Sequence, residues 1–141
     1  MIHLLDANVL IALMVEDHPH HAVVVQFFPK AQFEGWATCP ITENALLRIV
    51  GAPAFPGGPG NPQALRAQFL KYRASPGHQF WPDDLSLADR RTFAVLPSAK
   101  NLTDIYLLAL AVKKQGRLVT FDQGIDPSLV PGGTDALLVL K

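Results

Sequence analysis

The stretch Asn101–Gly124, NLTDIYLLALAVKKQGRLVTFDQG, joins one very apolar helix to one short strand and carries an acid at each functional edge. From Ile105 to Val112 nearly every residue is apolar, so the predicted helix is buried on most of its faces. Its length and scarcity of β-branched residues favour helix over strand. Asn101 is placed as the N-cap, Lys113 and Lys114 suit the negative end of the helix dipole, and Gly116 is expected to close the helix in the left-handed conformation. Arg117–Phe121 then reads as a buried strand, with Asp122 where the strand emerges beside the turn residues Gln123 and Gly124. A helix returning to a strand is half of a βαβ unit.

The same alternation extends toward the N-terminus. Ile2–Leu5 reads as a strand followed directly by Asp6, Asn8 and a helical run from Val9 to Val15. A second helix is predicted from near Pro19 to Phe28, with Pro29 as its stop. His18, His20 and His21 lie at its start and read as solvated residues rather than metal ligands, and His3 and His78 stand isolated. Gly35–Thr38 is a second strand, with Pro40 opening a helix that carries Glu43 in its first turn. Gly51–Asn61, rich in Gly and Pro, is expected to form an exposed flap. Asn61 and Pro62 start a helix through Arg73, Gln79–Trp81 is a short strand, and Ser86 and Asp89 have the spacing of a capping box opening a brief helix. Ala136–Leu140 is expected to be an edge strand.

The chain has 141 residues, of which 49% are hydrophobic and 17% charged, so one domain with a sizeable core is expected. Its 12 basic and 12 acidic residues cancel, which excludes a protein that coats nucleic acid by bulk charge alone. The distribution is uneven: Asn44–Pro82 contains no acid but holds Arg48, Arg66, Lys71 and Arg73, which are possible RNA contacts as well as ordinary solvated residues. A single cysteine, Cys39, precludes an intrachain disulfide and suits a reducing cytosol. Val9–Val15 is too short to span a bilayer, so a cytoplasmic location with no membrane contact is expected.

Alternating strands and helices imply a three-layer α/β/α fold with a mostly parallel central sheet, and such sheets bind ligands beyond the carboxyl ends of their strands. Four acids are expected at that edge. Asp6 and Asp122 follow strands, whereas Glu43 and Asp104 lie in the first turns of helices that begin there. A carboxylate near a helix N-terminus gains about 0.3–1 kcal/mol from the dipole. Two like charges about 4 Å apart repel by about 4 kcal/mol at an effective dielectric near 20. Clustering therefore calls for a cationic partner, and an all-oxygen donor set with open water positions suits Mg²⁺ or Mn²⁺ better than zinc.

Leu5-Asp-Ala-Asn-Val-Leu-Ile11, Thr42-Glu43-Asn44, Leu102-Thr103-Asp104 and Val119-Thr-Phe-Asp122, in that order and spacing, resemble the PIN domain, and most closely the VapC-type toxins of toxin–antitoxin pairs. The resemblance covers essentially the whole of residues 1–141. It implies a Mg²⁺- or Mn²⁺-dependent endoribonuclease with Asp6, Glu43, Asp104 and Asp122 as catalytic and metal-binding acids, supported by Asn8 and Thr120. It also implies an RNA substrate, a cognate antitoxin protein and a homodimer. Ile125 departs from the pattern, since an aromatic often follows the last Asp there, and the Gly51–Asn61 excursion is longer than a minimal PIN domain needs.

Two other readings use the same residues. One is a catalytically silent PIN-like interaction module. The other is a metal-dependent phosphohydrolase of another α/β family, or a signalling receiver, but a receiver needs paired acids after its first strand and a phosphoacceptor Asp near mid-chain. Asp6 is single, and Asn44–Pro82 contains no acid.

Overall fold

A computed structural model describes residues 1–141. Five strands, β1 (His3–Leu5), β2 (Trp36–Thr38), β3 (His78–Phe80), β4 (Arg117–Thr120) and β5 (Leu137–Val139), form one sheet in the order β3-β2-β1-β4-β5. Every neighbouring pair is parallel, so all five carboxyl ends lie at the same edge. The helices are α1 (Ala7–Met14), α2 (His21–Glu34), α3 (Pro40–Val50), α4 (Pro62–Arg73) and α5 (Leu102–Lys113).

Side-chain alternation along the strands divides the core in two. Leu4, Ala37 and Leu118 point to one face and pack with α5, whereas Leu5, Trp36 and Val119 point to the other and pack with α1–α4. Three layers result. Helix α5 is buried at seven consecutive positions, Ile105–Ala111, because its outer side is also covered. Leu85, Leu87, Phe93, Ile125, Leu129 and Val130 pack in the same cluster and close over it.

Several local expectations change. Helix α2 runs through Pro29 to Glu34. Proline removes the hydrogen bond to the Val25 carbonyl, but Pro29 and Val25 lie on the exposed side, where water reaches that carbonyl, while Val24, Phe28 and Ala31 stay buried. Ser86 and Asp89 start no helix. Ser86 Oγ accepts from Ala88 N at 3.1 Å and Asp89 Oδ1 from Arg91 N at 2.9 Å, local bonds that offer the backbone an alternative to the helix. Asn101 occupies the N-cap of α5 without a side-chain cap bond. The Gly51–Asn61 excursion is a run of turns, exposed at Pro53, Ala54 and Pro56, but Phe55 is tucked against the second core.

The left-handed residue after α5 is Gln115, with φ 57°, not Gly116. Gly116 is required for a different reason: a Cβ there would lie 2.5 Å from the Ile2 carbonyl oxygen and 2.9 Å from the Trp81 ring. Close approach of the helix end to β1 allows Arg117 N to donate to Ile2 O at 2.9 Å and so starts the β1–β4 pairing. Gly116→Ala is expected to destabilise the fold by about 1–3 kcal/mol through overpacking. Urea unfolding measures this, and an unchanged midpoint would show that the junction can relax.

Candidate active site

Asp6 is the N-cap of α1, where its Oδ1 accepts from Ala7 N at 2.7 Å. Its Oδ2 accepts from the Thr120 hydroxyl at 2.8 Å, across the β1–β4 boundary. The Thr120 oxygen in turn accepts from Asn8 Nδ2 at 3.1 Å and from Asp122 N at 3.1 Å. Asn8 closes the loop by accepting from Phe121 N through Oδ1 at 3.2 Å. The first and fourth chain segments are thereby locked together by Thr120 and Asn8. Asp122 is further held by Gly124 N, which donates to its Oδ1 at 2.7 Å.

Asp104 enters from the first turn of α5. Its pKa is pushed up to about 7, first by burial, then by the Asp6 charge, and then by Asp122, which lies within hydrogen-bonding reach. Asp6, only 6% exposed, is also raised, mainly by burial and against the opposing bonds from Thr120 and Ala7. Three acids thus share one electrostatic environment, and no Lys or Arg pairs with any of them.

Glu43 behaves differently. Its Oε2 accepts from the Thr38 hydroxyl at 2.7 Å and lies 3.8 Å from Arg73 Nη1. His78, which stands isolated in sequence, places Nε2 2.8 Å from the same Thr38 hydroxyl. Because Thr38 has one proton and gives it to Glu43, His78 Nε2 must donate. Its pKa is lowered to about 4, by burial and then by Arg73, so the ring is neutral. The four acids expected at one edge therefore divide into a crowded trio and a fourth acid already paired with a base.

Of the basic residues, only Arg73 reaches an acid of the site. Arg48, Arg66 and Lys71 are exposed on α3 and α4. Phe80 at the end of β3 and the stack of His20 on Phe121, with centroids 4.4 Å apart, also flank this edge. Neither was expected from sequence, where exposure of a strand-end Phe has no signature. Cys39 is a buried thiol whose pKa burial pushes up to about 11, so it is unreactive at neutral pH.

No three acidic, histidine or cysteine side chains converge closely enough to form a ready-made cage for an ion. The donor chemistry nevertheless fits a hard divalent cation, because Mg²⁺ uses one or two carboxylates and keeps several waters. Uncompensated charge at Asp104 is the physical observation that favours such a partner.

The PIN domain family model matches residues 3–126. Ribonuclease VapC44 of Mycobacterium tuberculosis is 39% identical over 137 residues, covering 93% of each chain. Ribonuclease VapC39 of the same organism is 38% identical over 139 residues, covering 95% of this chain and 98% of its own. Ribonuclease VapC38 is 40% identical over 123 residues, 86% of each.

A pH dependence follows from Asp104. An acid whose folded pKa lies above its unfolded value destabilises the fold as pH rises from the unfolded pKa through the folded one, here from about 4 to about 7. In chelator, wild type is expected to melt lower at pH 8 than at pH 5, and Asp104→Asn to reduce that difference and melt no lower than wild type at pH 8. Equal pH slopes for the two proteins would show that the crowding is relieved some other way.

Proposed function

The chain belongs to the PIN-domain family, among its VapC-type members, and from that premise we propose that it is a metal-dependent endoribonuclease, the toxin of a toxin–antitoxin pair. The nuclease domain is residues 1–141, the cofactor is Mg²⁺ or Mn²⁺, and the reaction is hydrolysis of an RNA phosphodiester. The observation that supports this reading most directly is the crowding of the Asp6, Asp104 and Asp122 carboxyl groups at the carboxyl edge of a parallel sheet, which disfavours the charged form of Asp104 in the absence of a cation.

Asp6, Asp104 and Asp122 are the residues that would hold the ion, with Glu43 facing the same edge as the fourth acid. When bound there, the ion supplies a water of lowered pKa and counter-charge for the phosphate. The chain's own contribution is positioning. Thr120 and the α1 N-terminus fix both oxygens of Asp6, Gly124 N fixes one oxygen of Asp122, and the buried α5 presents Asp104 from a rigid base. Thr38 and Arg73 orient Glu43 without a metal. Arg48, Arg66, Lys71 and Arg73 offer charge to RNA phosphates.

The partners in this reading are RNA, a cognate antitoxin that covers the acidic edge, and a second copy of the chain. Exposed Ile49 and Leu70 on α3 and α4 support an apolar partner surface. A cytoplasmic setting belongs to the same proposal; no helix is long and apolar enough to cross a membrane.

The test is cleavage of single-stranded RNA by the purified chain with Mg²⁺ or Mn²⁺ and with chelator. Wild type is expected to cut only with metal, and Asp6→Asn, Asp104→Asn and Asp122→Asn each to lose on the order of 100-fold or more in rate. Glu43→Gln, whose charge is already balanced by Arg73, is expected to lose less. Intact RNA after incubation of folded wild type with metal would instead favour a catalytically silent module.

A further inference from the structure

We infer that Phe80 and Arg73 form a base-stacking subsite for single-stranded RNA, beside Glu43 at the β3 side of the acidic edge; this rests on the ribonuclease reading above. Phe80 ends β3 and is 46% exposed, whereas Phe69 and Phe93, which serve packing, are each 3% exposed. The Arg73 guanidinium carbon lies 5.6 Å from the centre of the Phe80 ring. The same guanidinium is tied to Glu43, with Nη1 3.8 Å from Oε2. Glu43 is tied to Thr38 at 2.7 Å and Thr38 to His78 at 2.8 Å.

The bonds run in one direction, from His78 to Thr38 to Glu43, and Arg73 faces the same Glu43 oxygen, Oε2, that accepts from Thr38. The result is an aromatic ring and a cation held together before any substrate arrives, which lowers the ordering cost of binding. Single-stranded RNA is recognised by stacking unpaired bases on aromatic rings and guanidinium planes. Arg73 also has donors beyond the one facing Glu43, in the fork geometry that suits phosphate.

Its position suits the reaction. In the sheet, β3 is two strands from β1, so Phe80 is about 10 Å across from the strand that carries Asp6. A short run of nucleotides spans that distance. The ring therefore holds a base to one side of the bond presented to Asp6, Asp104 and Asp122. His78 and Thr38 are positioning residues for this subsite, since they act through Glu43.

The experiment is fluorescence anisotropy of a labelled single-stranded RNA oligonucleotide at low salt in chelator, with wild type, Phe80→Ala and Phe80→Trp. The alanine variant is expected to bind on the order of ten-fold more weakly, the usual effect of losing one base–aromatic stack. Phe80→Trp is expected to bind at least as well as wild type, with its new indole emission quenched by RNA. All three should melt close together, because the half-exposed ring belongs to neither core cluster. Binding of Phe80→Ala equal to wild type overturns the subsite, as does an equal loss on blunt RNA duplex, which offers no free base. So does a loss confined to a protein partner, which would assign the ring to that interface. If wild type cuts RNA with metal while Phe80→Ala binds normally, the subsite alone fails; if wild type neither binds nor cuts, both readings fail.

Discussion

The hydroxyl of Thr120 is the tie on which the site depends. It gives its one proton to Asp6 and fills its oxygen with donors from Asn8 and Asp122, at 2.8, 3.1 and 3.1 Å. All its hydrogen-bonding capacity is used, and each bond joins a different part of the site. It orients the Asp6 carboxylate directly and holds Asp122 by its backbone N–H. At the same junction Asp6 N donates to Val119 O at 2.9 Å, a backbone bond that ties β1 to β4 beside the hydroxyl. A buried threonine here makes the acids part of the sheet rather than ornaments on loops above it.

That rigidity explains how the fold tolerates its charge. Leu4, Leu5, Leu118 and Val119 are fully buried beneath the acids, and the seven buried residues of α5 anchor Asp104 from the side. Retreat of any one carboxylate would disturb this packing, so burial first and repulsion second appear as a raised pKa instead of a displaced loop. Glu43 meets the same problem with a different answer, an arginine from α4. One edge thus contains charge that the chain balances itself and charge that it leaves unbalanced.

The reach of sequence follows from where each interaction begins and ends along the chain. The α5 helix and β4 are evident because a long apolar run and a strand-end Asp are local patterns, and the same holds for Asp6 after β1. Asn8 and Thr120 were identifiable through resemblance, although their 112-residue separation hides the bond between them. The Arg73–Glu43 pair joins residues on different helices, and the His78–Thr38 contact spans 40 positions, so nothing local announces either. Pro29 misled because its effect depends on which side of α2 faces water, and Ser86 and Asp89 misled because a capping spacing also fits consecutive turns. Gln115 displaced Gly116 from the left-handed position because glycine was needed for contact with Ile2 and Trp81.

The central claim is that Asp104 carries charge the chain itself cannot balance. The direct measurement is a carbon NMR titration of the Asp104 carboxyl, first without metal and then with Mg²⁺. Without metal it should titrate near pH 7, far above an ordinary aspartate, and Mg²⁺ should move its midpoint down by favouring the ionised form. An Asp104 midpoint near 4 that Mg²⁺ leaves unchanged would contradict both the crowding of the three acids and the site built upon it.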